Sequence, residues 1–278
     1  MTLSSPLLSS QSLKKNPIGI FDSGIGGLTV FRAVSELLPN EDLVYLGDTA
    51  RVPYGTKSAA TVIRYSKQII EFLLTQKVKL VVVACNTASA FALETLQRHF
   101  HLPLLGVIRP GAEGALRVSS SARIGVIGTE GTIQSLAYPK LIKKLRPESH
   151  VLGQACPLFV PLVEEGRWSG EITEMVAREY LNPLLRQNID ALILGCTHYP
   201  LLRKTLQKVV GKKVSLIDSA RETAREVAVL LDQKDLRRET PSKQAVYQFY
   251  TTDSPDRFKR VGEMFLGSTL SRIQHIEL

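Results

Sequence analysis

The sequence predicts an α/β fold: two similar doubly wound parallel-sheet domains with the active site in the cleft between them. Three observations carry that expectation. Short β-branched runs alternate with longer amphipathic segments, the alternation that builds a parallel sheet through right-handed crossovers. The apolar runs are continuous rather than alternating, as strands covered by helices on both faces require. Two landmarks also occur twice, in the same order. Ile18-Gly19-Ile20-Phe21-Asp22-Ser23-Gly24 resembles Ile124-Gly125-Val126-Ile127-Gly128-Thr129-Glu130, and Val82-Val83-Ala84-Cys85-Asn86-Thr87 resembles Ile193-Leu194-Gly195-Cys196-Thr197-His198. The first pair is offset by 106 residues and the second by 111. That is a duplicated unit whose halves face each other.

Taken in order, 18–21 reads as a strand, and 28–38 has helical spacing that stops before Pro39. A second strand at 43–46 precedes a long helix at 58–76 carrying Val62, Ile63, Ile69, Ile70, Phe72 and Leu73. A third strand at 80–84 leads into a helix at 88–99. The pattern then restarts: strand 123–127, helix 132–145, strand 151–155, helix 171–187, strand 191–194. Beyond it come a strand at 214–217, a loop at 218–219, a helix at 220–231, a polar turn at 240–243 and a last strand at 246–251. The division this implies is a loose N-terminal tail over 1–16, a first α/β domain from 17–108 plus 220–278, and a second from 109–219.

Composition narrows the class. Length over roughly 150 residues per domain gives about two domains. At 44% apolar and 22% charged residues, the chain is an ordinary globular protein rather than a disordered one. Three cysteines among 278 residues make no disulfide scaffold; they suit a reducing compartment and act as thiols. The apolar runs are far shorter than the ~20 residues a bilayer span needs. In the first 16 residues the lysines follow the apolar part, which is a poor secretory signal. A cytoplasmic protein with no membrane partner is expected. The net charge of +9 is spread out, with short concentrations at 140–146, 203–213 and 234–243. Aromatics are 6% and no finger or RNP sequence occurs, so a solvated basic surface is expected rather than a nucleic-acid partner.

Two cysteines end equivalent strands, and ligands bind at the carboxyl ends of strands in open α/β sheets. Cys85 precedes Asn86-Thr87 and Cys196 precedes Thr197-His198. A lone cysteine more often packs as a small hydrophobe; two at the same place in repeated halves argue for chemistry. Neither a C-x-x-C pair nor a spaced His cluster is present, so no metal is expected. Cys156, before Pro157, is read as structural. The Gly24-Ile25-Gly26-Gly27 loop fails as a dinucleotide fingerprint because Thr29 stands at the last glycine position, and as a P-loop because Ile25 stands where Lys belongs.

Four motifs then come together. Asp22-Ser23-Gly24-Ile25-Gly26-Gly27, Gly47-Asp48-Thr49-Ala50-Arg51-Val52-Pro53-Tyr54-Gly55, Ala84-Cys85-Asn86-Thr87-Ala88-Ser89 and Gly195-Cys196-Thr197-His198-Tyr199-Pro200 stand in the order seen in glutamate racemases. The resemblance runs from about Pro17 to about Leu231, taking in Gly106-Val107-Ile108 and Ile217-Asp218-Ser219-Ala220; the segment after about Lys234 matches less distinctively. Leu136 departs from it, standing where Gly or Asn is expected.

The resemblance implies a cofactor-independent racemase that interconverts L- and D-glutamate for peptidoglycan, and a homodimer. Inverting a stereocentre needs a proton removed from one face of Cα and another delivered to the opposite face, so two bases must flank the carbon. By resemblance these are Cys85 and Cys196, with Asp22 near the first and His198 near the second. A further acidic residue is Glu164, with Glu165 beside it as the alternative. The binding positions implied are Asp22, Ser23, Pro53, Tyr54, Gly55, Asn86, Thr87, Thr129, Thr197 and His198, mostly neutral donors; Thr132 and Asp48 are weaker candidates. Asp22 also reads as a helix N-cap, His198 as packing under Pro200, and Glu164 as a plain surface carboxylate. Aspartate or hydantoin racemases are neighbouring readings. A Cys196–His198 hydrolase is a different one, and it has no use for Cys85.

Overall fold

The computed structural model describes residues 13–238 and 245–278. Its strands form two wholly parallel sheets. In the first, β1 (Ile18–Asp22), β2 (Leu43–Gly47), β3 (Leu80–Val83), β4 (Leu104–Gly106), β9 (Tyr247–Thr251) and β10 (Ile273–His275) stand in the order β10-β9-β2-β1-β3-β4. In the second, β5 (Arg123–Gly128), β6 (His150–Ala155), β7 (Ala191–Gly195) and β8 (Ser215–Asp218) stand in the order β6-β5-β7-β8. The sequence repeat is thus a topological one. The order β2-β1-β3-β4 is the same as β6-β5-β7-β8, and β9 and β10 extend the first sheet beyond β2. Ile18 lies beside Leu43 and Leu80, and Ile124 beside Val151 and Ala191. The two landmark pairs therefore fall on β1 with β5, and on β3 with β7.

Helices cover both faces, which is why every residue of β1, β2, β3 and β7 is buried. Helix α1 (Leu28–Leu37) ends before Pro39, and α2 (Ala59–Thr75) starts where the Ser58 hydroxyl accepts from the Thr61 N–H. Two predicted helices are each divided. The first becomes α3 (Asn86–Phe91) and α4 (Leu93–His99), and the second α6 (Glu130–Gln134) and α7 (Ala137–Leu145). The break in the second is Leu136, in the left-handed region at φ 55°.

Four helices are missing from the sequence expectation. Helix α5 (Ile108–Val118) contains Pro110 and Gly111, which read as breakers, yet a proline in the first turn forfeits no intrahelical bond. Helices α8 (Phe159–Glu164) and α10 (Arg203–Val210) are too short for a strong period, and α12 (Pro255–Leu266) comes after the last predicted strand. The remaining helices, α9 (Glu171–Leu185) and α11 (Ser219–Gln233), stand where the spacing places them.

Helix α11 packs on both α1 and α5. One apolar cluster runs unbroken from Ile18, Ile20 and Val82 of the first sheet to Ile127, Leu192 and Leu194 of the second. The two sheets therefore share a core and present their carboxyl edges to a common cleft. The predicted turn at 240–243 and residues 1–12 of the predicted tail lie outside the described residues. Residues 14 and 15 are held down: Lys79 Nζ donates to the Lys14 carbonyl (2.8 Å) and Arg238 to that of Lys15 (2.6 Å). None of the described helices is long and apolar enough to cross a membrane.

Candidate active site

One cavity opens at the facing carboxyl edges. Its wall holds Ser23, Pro53, Tyr54, Gly55, Cys85, Asn86, Thr87, Thr129, Thr132, Glu164, Cys196, Thr197 and His198. Of the site residues expected from sequence, Asp22, Asp48 and the alternative carboxylate Glu165 are not in that wall. Cys85 comes after β3 as the N-cap residue of α3, and Cys196 comes directly after β7. Parallel strands deliver the residues after their carboxyl ends to the same edge, so equivalent positions in two facing sheets converge.

Cys85 is buried and its Sγ donates to the Ser23 hydroxyl at 3.6 Å. Burial, reinforced by the nearby Asp22 charge, pushes this thiol up to about 12. Asp22 is fully buried; its carboxylate accepts from the Gly24 N–H (3.0 Å) and the Thr197 hydroxyl (3.3 Å). Burial raises its pKa above the ordinary carboxylate value. It does not cap α1, whose N-cap is Gly27.

The other sulfur has different company. His198 Nδ1 lies 3.8 Å from Cys196 Sγ, His198 Nε2 lies 3.1 Å from Glu164 Oε1, and Arg257 donates to Glu164 Oε2 at 3.0 Å. Burial works against the imidazolium, yet the hydrogen bonds to Cys196 and Glu164 outweigh it and raise His198 to about 10. The bond to His198 holds the Glu164 carboxyl below its usual range. Glu165 is exposed, and it is Glu164 that reaches His198. Phe265 packs edge-on against the His198 ring, centroids 5.4 Å apart. Arg257 and Phe265 both come from α12, in the segment where the motifs fade, and nothing in the sequence singles them out.

The rest of the wall is a set of neutral donors and acceptors. The hydroxyls of Thr87, Thr129 and Thr132 lie 2.9 to 3.1 Å apart and share hydrogen bonds across the cleft. Tyr138 donates to Asn86 Oδ1 at 2.8 Å. Buried Asp48 serves the site from behind: Tyr54 donates to it, as do Arg51 (2.9 Å) and Thr252 (2.9 Å). The sequence reading misses Val52 and Val160, which line the cavity with apolar groups that carry no chemical signal. Among the described residues, no lysine or arginine is in the wall. Among the described residues no cluster of three or more His, Cys, Asp or Glu could hold a metal ion.

The glycine loop has a steric purpose. A Cβ on Gly26 would run into the Thr197 hydroxyl and the His198 ring, and one on Gly55 would meet Thr129 Cβ at 2.6 Å. These glycines let elements of one sheet touch functional side chains of the other.

A profile of the Asp/Glu/Hydantoin racemase family matches residues 18–227. A glutamate racemase from Geobacter metallireducens is 53% identical over 261 residues, 94% of this chain and 96% of that one. The crystal structure of a Francisella tularensis glutamate racemase in complex with D-glutamate superposes with a TM-score of 0.88 at 42% identity, over 95% of this chain and 98% of that one. A Bacillus anthracis glutamate racemase gives 0.90 at 39% identity, with the same coverage of each chain.

Proposed function

The chain belongs to the Asp/Glu/Hydantoin racemase family, and on that footing we propose that it interconverts L- and D-glutamate without a cofactor. Cys85 and Cys196 are the opposing acid and base. The observation that carries this reading is that the two cysteines, each at the end of the equivalent strand of its own sheet, share one cavity wall.

One sulfur, as thiolate, takes the proton from Cα and becomes a thiol. The other, as thiol, gives its proton to the opposite face and becomes the thiolate, so the net proton count is unchanged and the reverse reaction swaps the roles. The two sulfurs have unlike surroundings: burial keeps the proton on Cys85, while the imidazolium of His198 faces Cys196. Glu164 steadies that imidazolium, with Arg257 behind it. Asp22 serves the Cys85 side. Charge that develops on the substrate carboxylate as the proton leaves is met by the hydroxyl, amide and backbone donors of Ser23, Tyr54, Gly55, Asn86, Thr87, Thr129 and Thr197. A Cys196–His198 hydrolase would leave Cys85 in the wall unused.

The same reading makes the product D-glutamate for peptidoglycan, places the enzyme in the cytoplasm and makes it a homodimer. All three cysteines are free, which suits that compartment. We divide the chain at 108/109 and 219/220 into the two units that flank the substrate.

Circular dichroism of L-glutamate incubated with purified protein and no added cofactor tests the activity. The signal should decay to zero, and faster than that of L-aspartate; an unchanged signal would reject the proposal. Cys85→Ser and Cys196→Ser should each lower turnover by roughly 100-fold or more. Light scattering on a sizing column checks the dimer.

A further inference from the structure

Asn86 sits in the cavity wall with an amide that is only half used. It is 3% exposed, its Oδ1 accepts from Tyr138, and its Nδ2 has no hydrogen-bond partner among the described residues. A buried donor left unpaired costs as much as a lost hydrogen bond, so an unpartnered donor on a residue of the cavity wall is suited to a partner that enters the cavity. An amide has one acceptor end and one donor end; whichever neighbour takes the oxygen decides where both N–H groups point.

That neighbour is Tyr138 on α7, 52 positions away in sequence and absent from the cavity wall. Its ring is 1% exposed and is seated against two glycines. A Cβ on Gly111 would come within 3.1 Å of its Oη, and one on Gly195, beside Cys196, within 3.3 Å of its Cε2. Burial holds the phenol well above its ordinary range, so it keeps its proton and stays a donor at neutral pH.

We propose that Tyr138 is a positioning residue: by donating to Asn86 Oδ1 it turns both Nδ2–H donors into the cavity, where they hold a carboxylate oxygen of the substrate. This rests on the racemase reading. It adds a residue outside the four motifs that acts through Asn86 alone.

A double-mutant cycle on kcat/KM tests it. Tyr138→Phe keeps the ring and removes the donor, so it should cost roughly tenfold in the wild-type background, with most of the loss in KM. In an Asn86→Ala background the same change should cost less than about twofold, because there is no amide left to orient. Equal losses in the two backgrounds, or no loss in the wild type, would overturn the proposal. Where turnover is too slow, glutamate affinity by calorimetry closes the same cycle. Asn86→Asp tests the orientation without touching Tyr138: it keeps the acceptor and replaces the inward donors with oxygen. KM should rise tenfold or more, and an unchanged KM would also overturn the proposal. A wild-type enzyme that does not racemise glutamate would instead reject the underlying reading, and this role with it.

Discussion

His198 shows what a single side chain does here. Three residues after strand β7, it faces Cys196 with one nitrogen and Glu164 with the other, and its folded-state pKa of about 10 stands well above the ordinary 6.5. A raised pKa means that protonated His198 stabilises the fold. That contribution is fully present below about pH 6.5 and is lost as pH rises toward about 10. The melting-temperature gap between wild type and His198→Gln should therefore shrink across that window; a gap that stays constant contradicts the imidazolium. The residue types at the site were legible because they sit in short contiguous motifs next to strand ends. The charge state of His198 was not. Besides the neighbouring Cys196, it depends on Glu164, which is 34 positions away, is brought to His198 by folding and is itself held by Arg257.

At the scale of elements, the loop after β1 and the junction between α6 and α7 each make a prediction. Gly26→Ala should lower activity by wedging a methyl group between α1's entry loop and the Thr197–His198 turn, and the loss should exceed that of Ser23→Ala; wild-type activity would contradict the close approach. Leu136 occupies a left-handed conformation and is 51% exposed, so it bears backbone strain with little packing in return. Leu136→Gly should stabilise the protein by about 1 kcal/mol, a rise of roughly 2–4 °C in melting temperature. A fall would show that its exposed side chain matters more than its φ. The expectation of Gly or Asn at 136 thus has a backbone reason. The long strands and helices were legible from continuous apolar runs and from stops such as Pro39. Helix α5 was not, since Pro110 and Gly111 look like breakers until the proline is placed in a first turn. Helix α12 was not either, although it supplies Arg257.

Two sheets of one topology, closed on each other by a shared apolar core, make a site with two faces, and a two-base racemisation needs that geometry. L- and D-glutamate are enantiomers of equal free energy, so kcat/KM must be equal in the two directions for the wild type and for every variant, however unlike the two cysteines' surroundings. The repeat was legible in the sequence because β1 with β5 and β3 with β7 keep their motifs; the shared core was not, because its contacts join residues of the two halves. The central claim is that the proton leaves to one sulfur and arrives from another. Its direct test is the first-formed product when L-glutamate is turned over in D₂O, tracked by mass and proton NMR with the enantiomers separated. The account predicts that early D-glutamate carries deuterium at Cα while the remaining L-glutamate keeps its proton. D-glutamate that retains the substrate's own proton would mean one base working both faces, and would contradict it.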